Sequence, residues 1–558
     1  MARYLLVGGM LLLFGCQENS IFEVTELPAI ILPINKHPQN AEELIDQLGC
    51  QSCHAGVSTS KTLKTKAPDL SHAGLQYQPN YLFNYLQNPE RVRNHIGSAR
   101  MPDFGFSKKE SLALTIYLES LNQINEEWPE FPKLSSVSDN PEKGEEIFNQ
   151  LSCNACHSMN GDGNAIVSDL SNSAMKFNEP WLKKFLIAPH IFRGEENIMP
   201  SYFYTINEGS FVENMPDASH GIQWIVDFLL YANKEEGSTY EDFKKENPDI
   251  TREQGEKIFK VQNCVACHRS NISDNGRTAP DLNIESMRVT KHWLDSFLAN
   301  PYAIRPFGYP AGRGNRMPDF HLNEDEREMI SKFLIEMDAD TETVTKLSAY
   351  KISKTESLIL NKLSCTGCHT INGSGGKIGP DLSQVPNRLN PDYVRQLLDN
   401  PHQFDENIIM PIDPLTKRWK EDIVSFLFQQ EKISSQSTYL SLIDNEPLTM
   451  VTDASYENQY RWKCAICHGV TGDGNGYNAK FMEVKPTDHS DGAYMSQRAD
   501  DTMFDGIYNG GYYLNKSNQM PGWGQSLTMS DISGLVDYMR QLCNCEGPEW
   551  SRDGYEAK

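Results

Sequence analysis

The chain has 558 residues, too many for one hydrophobic core, and 39% of them are hydrophobic, the balance of a globular protein and not of a polytopic membrane protein. Its formal net charge of -24 argues against nucleic acid and against anionic lipid surfaces as partners. Such acidity suits a protein whose partners present basic docking surfaces.

The amino terminus reads as an export signal. Met1-Ala-Arg3 is a short basic region, and Tyr4 to Phe14 is an apolar run too short to span a bilayer comfortably. Leu13-Phe14-Gly15-Cys16 follows and resembles a bacterial lipobox. It implies cleavage after residue 15 and lipid attachment at Cys16, which would tie the protein to a membrane without a spanning helix. Gln17, next to Cys16, leans towards the outer membrane by analogy with enteric bacteria. Residues 16–40 hold Pro28, Pro33 and Pro38 without helical pattern and read as a tether.

The motif that organises the rest is Cys-x-x-Cys-His, present five times. The copies are Cys50/Cys53/His54, Cys153/Cys156/His157, Cys264/Cys267/His268, Cys365/Cys368/His369 and Cys464/Cys467/His468. Two cysteines at this spacing can form thioethers to the two vinyl groups of one haem, and the next histidine reaches the iron. A zinc half-site or a redox dithiol also uses Cys-x-x-Cys, but five copies each followed at once by His argue for five covalently bound haem c groups. Ten of the thirteen cysteines are thereby used. Cys16 takes the lipid, and Cys543 and Cys545 are left as a pair expected to form a disulfide in an oxidising compartment.

Taken in order, each motif ends an amphipathic helix, as in Ala41–Leu48, Pro141–Phe148 and Thr251–Phe259, the last with Thr251 as N-cap. In the first four repeats a loop then leads to an Asp-Leu element, at Asp69, Asp169, Asp281 and Asp381. A second helix follows (Tyr81 to Pro89, Trp181 to Pro189, Trp293 to Pro301, Tyr393 to Pro401), then Met-Pro, then a closing helix. The methionines are Met101, Met199, Met317, Met410 and, in repeat five, Met520, lying 41 to 52 residues after the histidine. A thioether is a soft ligand suited to haem iron, and Met opposite His raises the reduction potential. Repeat two offers Met215-Pro216 as a second candidate; Met199 is preferred because Glu196-Asn-Ile precedes it as Glu406-Asn-Ile precedes Met410. Repeats one and three share Arg-Met-Pro-Asp-Phe, and repeats two and four share Leu-Ser-Cys-x-x-Cys-His, so a two-haem block looks duplicated. Arg100 and Arg316, before the ligand Met, could neutralise a haem propionate.

On these motifs, residues 41 to 545 resemble class I c-type cytochromes in tandem. The resemblance implies an all-α protein of five cytochrome c-like domains, at 41–124, 140–233, 250–338, 352–431 and 453–545, with a tail at 546–558. It also implies that a loop carbonyl orients each proximal histidine, from Pro68, Pro280, Pro380 and, in repeat five, Pro486; repeat two has Ser168 there. Repeat five is similar to small shuttle cytochromes and to cytochrome domains fused to terminal oxidases. Nine histidines outside the motifs, His95, His190, His292 and His402 among them, could displace a methionine or sit at the surface. Trp523 is expected to pack on a haem.

The expected function is electron transfer and not catalysis, since five Met/His irons leave no open coordination site. Electrons would pass between a membrane-associated donor and a periplasmic or membrane acceptor, on a lipid-anchored protein in the periplasm or at the cell surface. The alternatives are a multihaem reductase or peroxidase with one open haem, repeat two first, and a redox subunit of a larger enzyme complex.

Overall fold

A computed structural model describes residues 40–52, 67–89, 101–122, 128–164, 167–193, 199–231, 239–267, 281–301, 317–335, 344–404, 408–430 and 455–551. It is helical, with three two-stranded hairpins. Each repeat contributes three main helices. Repeat one has α1 (Ala41–Leu48), α2 (Pro79–Gln87) and α3 (Lys108–Glu119). Repeat two has α4 (Pro141–Gln150), α5 (Glu179–Ile187) and α6 (Ala218–Tyr231). Repeat three has α7 (Arg252–Val261), α8 (Lys291–Ala299) and α9 (Glu324–Ile335). Repeat four has α10 (Ala349–Asn361), α11 (Pro391–Asp399) and α12 (Lys417–Leu427), and repeat five α13 (Tyr456–Lys463), α14 (Asp500–Asn509) and α15 (Met529–Cys543).

Local chemistry starts and stops these helices. Asn40 caps α1 by accepting from the Glu43 amide at 2.8 Å, and Gly49 ends it at φ 76°, a left-handed conformation that glycine adopts without steric cost. Reciprocal capping boxes open α3 (Ser107 with Glu110), α7 (Thr251 with Gln254) and α15 (Thr528 with Asp531). Asn140 and Pro141 open α4. Cys543, the last residue of α15, forms a disulfide with Cys545.

The described residues fall into two compact units. The smaller joins repeat two to residues 72–78. In it α4 crosses α6 so closely that a side chain at Gly144 would meet the Trp224 carbonyl. Tyr77 and Phe177 pair as an antiparallel bridge and stack with ring centroids 5.9 Å apart. The Asn178 side-chain amide donates to the carbonyls of Gly74, Leu75 and Tyr77, each at 3.1 Å. Between Met199 and Met215 the chain forms a hairpin, Tyr204–Asn207 with Ser210–Glu213. Its turn residues Glu208 and Gly209 both have positive φ, the type I′ geometry that matches strand twist.

The larger unit holds the other repeats. Repeats three and four meet by the same device as residues 72–78 and repeat two. Val289 bridges Leu389, and the Asn390 amide donates to the carbonyls of Ser286, Met287 and Val289 at 2.9, 3.1 and 3.3 Å. In repeats four and five the opening helix packs on the closing helix of its own repeat, α10 on α12 and α13 on α15.

Repeats one and three differ from the others, for the opening helix of each packs on the closing helix of the other. α1 packs on α9, and α7 packs on α3. Leu44, Ile45 and Leu48 of α1 lie in one core with Leu294, Phe297, Ile330 and Leu334 of repeat three. Gly255 of α7 sits so close to α3 that a side chain would meet the Ala113 carbonyl, and Tyr117 packs on Phe259 at 5.3 Å. Each closing helix is thus covered by the opening helix of the other repeat. The second helices stay at home, α2 on α3 and α8 on α9.

Candidate haem-attachment sites

The attachment motifs form tight turns at the ends of the opening helices. Cys153–Ala155 and Cys264–Ala266 are 3₁₀ turns, and Cys365–Cys368 is one α-turn. The following backbone folds back onto each turn. Asn164 N–H donates to the Asn154 carbonyl, Gly376 N–H to Thr366, and Asn478 N–H to Ile466, at 2.9 to 3.0 Å. In repeats two and four an Asn-Gly turn makes this reversal, Asn160-Gly161 and Asn372-Gly373, all four residues at positive φ.

Three of the motif histidines lie within the described residues, and each is held through one ring nitrogen. His157 Nδ1 is 2.7 Å from the Ser168 carbonyl, His369 Nδ1 is 2.7 Å from Pro380, and His468 Nδ1 is 2.9 Å from Thr487. The carbonyl fixes the tautomer with the proton on Nδ1 and leaves Nε2 as a ligand. Burial keeps all three imidazoles below the usual histidine range, so they stay neutral, the form that binds iron. Ser168 serves as well as proline, because the acceptor is backbone.

Repeat five corrects the reading of Pro486. The aspartate of the Asp-Leu element accepts from the amide two residues on, at Asp69, Asp169, Asp281 and Asp381, with distances of 2.7 to 3.0 Å. Asp488 does the same with Ser490 at 2.9 Å. Repeat five therefore has the element too, as Asp488-His489, and the carbonyl one residue before it belongs to Thr487. Sequence reading missed it because histidine stands where the others have leucine. His489 is buried, stacks on His468 with centroids 4.2 Å apart, and pairs with the Tyr460 hydroxyl at 2.9 Å. Burial, with His468 adding to it, holds its imidazole well below the usual range.

The donor set fits a covalently attached haem. Cys153, Cys156, Cys365, Cys368, Cys464 and Cys467 are in no disulfide. Burial pushes the thiols of Cys153, Cys365 and Cys464 up to about 12 and raises those of Cys368 and Cys467. The Gly379 backbone passes so near the His369 ring that a Cβ would strike it. The buried Trp181 indole N–H has no partner among the described residues and is a ready donor for a haem carboxylate. Cys50, Cys264 and Cys267 are described; Cys53, His54, His268, Pro280, Arg100, Arg316 and Cys16 lie outside the described residues.

The methionines sit on loops before the closing helices. In repeat two Met199 opens a loop whose Tyr202 hydroxyl, raised first by burial, also feels the Cys153 and Cys156 thiols. Met215 is buried just ahead of α6. Met317 packs at the edge of the core that holds α1, and Met520 at the edge of the repeat-five core beside Trp523. Asp103 and Asp319, two residues past Met101 and Met317, exchange backbone hydrogen bonds at 2.9 and 2.7 Å.

Repeat five is built onto the attachment turn of repeat four. The Asn518 amide donates to the Leu360 and Leu363 carbonyls at 3.1 and 2.8 Å, and the Asn478 amide to the Gly367 carbonyl at 2.7 Å. A side chain at Gly367 would meet the Gln519 carbonyl.

The family described as cytochrome c matches residues 141–213 and 252–338. These stretches are similar to c-type cytochrome domains. A further stretch, 452–539, matches the family described as cytochrome C oxidase, cbb3-type, subunit III. No solved structure matches the chain. Cytochrome c domains bind haem c covalently and carry electrons, and the matched stretches imply haem-based electron transfer. None of the chain's described helices is long and apolar enough to cross a membrane.

Proposed function

We propose that this chain is a five-haem electron carrier, exported and held at a membrane by a lipid on Cys16. Haem c supplies a one-electron iron couple at each site when bound. The cysteines of the five motifs attach the haems; His54, His157, His268, His369 and His468 are the proximal ligands; Met101, Met199, Met317, Met410 and Met520 supply the sulfur.

The observation that carries the reading is the seam between repeats four and five. Gln519, next to Met520, rests on Thr366 and Gly367 inside the Cys-x-x-Cys turn of repeat four. Asn478 spans that turn and the neighbouring loop, donating to Gly367 and accepting from the Lys377 amide at 3.0 Å. Both side chains are buried, and they tie the attachment turn of repeat four to repeat five. The net charge of -24 supports partners with basic docking faces.

A second reading rests on repeat two. The hairpin at 204–213 separates two candidate methionines there, so a reductase or peroxidase with one open haem would use that repeat. Optical and EPR spectra of the purified protein, with and without carbon monoxide, separate the two. The expected result is five haems per chain by pyridine haemochrome, all low-spin, and no carbon monoxide adduct. An adduct amounting to one haem would establish the enzyme reading.

A further inference from the structure

The exchange of opening helices between repeats one and three reaches the haem sites. An attachment motif is rigidly joined to the helix it ends. Cys50 follows α1 by one glycine, and it packs with α1 against the repeat-three core, on the same cluster as Met317, Phe320 and Met329. Cys264 follows α7 by two residues, Gln262 and Asn263. Its thiol is felt by Tyr117 of α3 in repeat one, whose hydroxyl burial pushes up to about 12. Arg252 of α7 donates from Nε to Ser120 Oγ at 2.9 Å and lies over the Tyr117 ring at 5.4 Å, so the whole of α7 is seated on repeat one. The two attachment turns touch through Ser52 Oγ, 3.4 Å from the Ala266 carbonyl. The two methionine loops touch through Asp103 and Asp319. The contacts are therefore reciprocal about a local pseudo-twofold between repeats one and three.

We infer that these two haem sites are composite. The haem attached through Cys50 draws its sulfur ligand from Met317 of repeat three, and the haem attached through Cys264 and Cys267 draws its own from Met101 of repeat one. Each site is then built from two repeats far apart in sequence, and neither repeat completes a site alone. The inference rests on the haem reading above and concerns which methionine serves which motif.

A double-substitution experiment on the full chain tests it. Cys264→Ala with Cys267→Ala removes one attachment site and leaves four haems, counted by pyridine haemochrome. In that background Met317→His should turn one Met/His iron into a bis-histidine iron. The near-infrared sulfur-to-iron band should fall by about one quarter, and one haem should shift to lower potential. Met101→His should leave the spectrum unchanged, since its haem is gone. The opposite pattern, with Met101→His converting a haem and Met317→His silent, overturns the inference while leaving the haem reading intact. A parent protein without covalent haem overturns the haem reading itself. Should the four-haem protein fail to fold, a photo-crosslinking residue placed at Gln47 of α1 in the five-haem protein gives the same answer. Cross-links to peptides of 317–335 support the exchange, and cross-links to 108–121 refute it.

Discussion

His489 occupies the leucine position of the Asp-Leu element and turns an apolar plug into a polar pair with Tyr460. Removing either partner strands the other in a buried site. His489→Leu and Tyr460→Phe should each destabilise repeat five by about 1–3 kcal/mol, and the double variant should cost less than their sum. Denaturant titration of the three proteins checks this; strict additivity would mean that the hydrogen bond contributes nothing. At Asn478 one side chain serves two repeats, so Asn478→Ala should loosen the seam by about 1–3 kcal/mol and expose Gly367 to exchange. On α7, Glu256 accepts from Lys260 Nζ at 2.6 Å and Arg252 Nη1 at 3.0 Å, and these bonds hold its carboxyl below the usual carboxylate range. A depressed carboxylate stabilises the fold above its unfolded pKa, and that contribution disappears as pH falls through the folded value. The melting difference between the parent and Glu256→Gln should therefore be present at neutral pH and vanish in acid.

The helices themselves were legible in the sequence: apolar periodicity placed α1, α4 and α7 ahead of their motifs, and Thr251 was readable as a cap. The Asn-Gly turns at 160–161 and 372–373 were a readable hairpin signal that haem-motif spacing overshadowed. What periodicity cannot give is the partner of an amphipathic face. α1 shows an apolar stripe, but nothing in Ala41–Leu48 names α9 over α3. The same limit hid Asn178 and Asn390, whose amides each stitch three carbonyls of a neighbouring segment. It also hid Thr487, because alignment followed the proline and the geometry follows the aspartate. Gly255 marks a helix crossing as Gly144 does, yet the crossing lies between repeats. Gly255→Val should force α7 off α3 at a cost of about 1–3 kcal/mol, measured by denaturation.

In the whole molecule, repeats one and three behave as one body with shared helices. Leu334 of α9 is buried in the core that also holds Leu44 and Leu48. Leu334→Ala should cost about 2–5 kcal/mol. In hydrogen exchange, amides of α1 should lose protection together with those of α9, while those of α3 keep theirs; loss in α3 instead of α1 would contradict the packing.

The pairing of α1 with α9 also sets a timetable. A chain made from its amino terminus presents Leu44, Ile45 and Leu48 early, but the surface that covers them is made only after nearly half the sequence has followed. During synthesis the first repeat thus waits with its apolar stripe uncovered, and its closure is among the most non-local contacts in the fold, the kind that forms slowly. That stripe must be shielded until repeat three arrives.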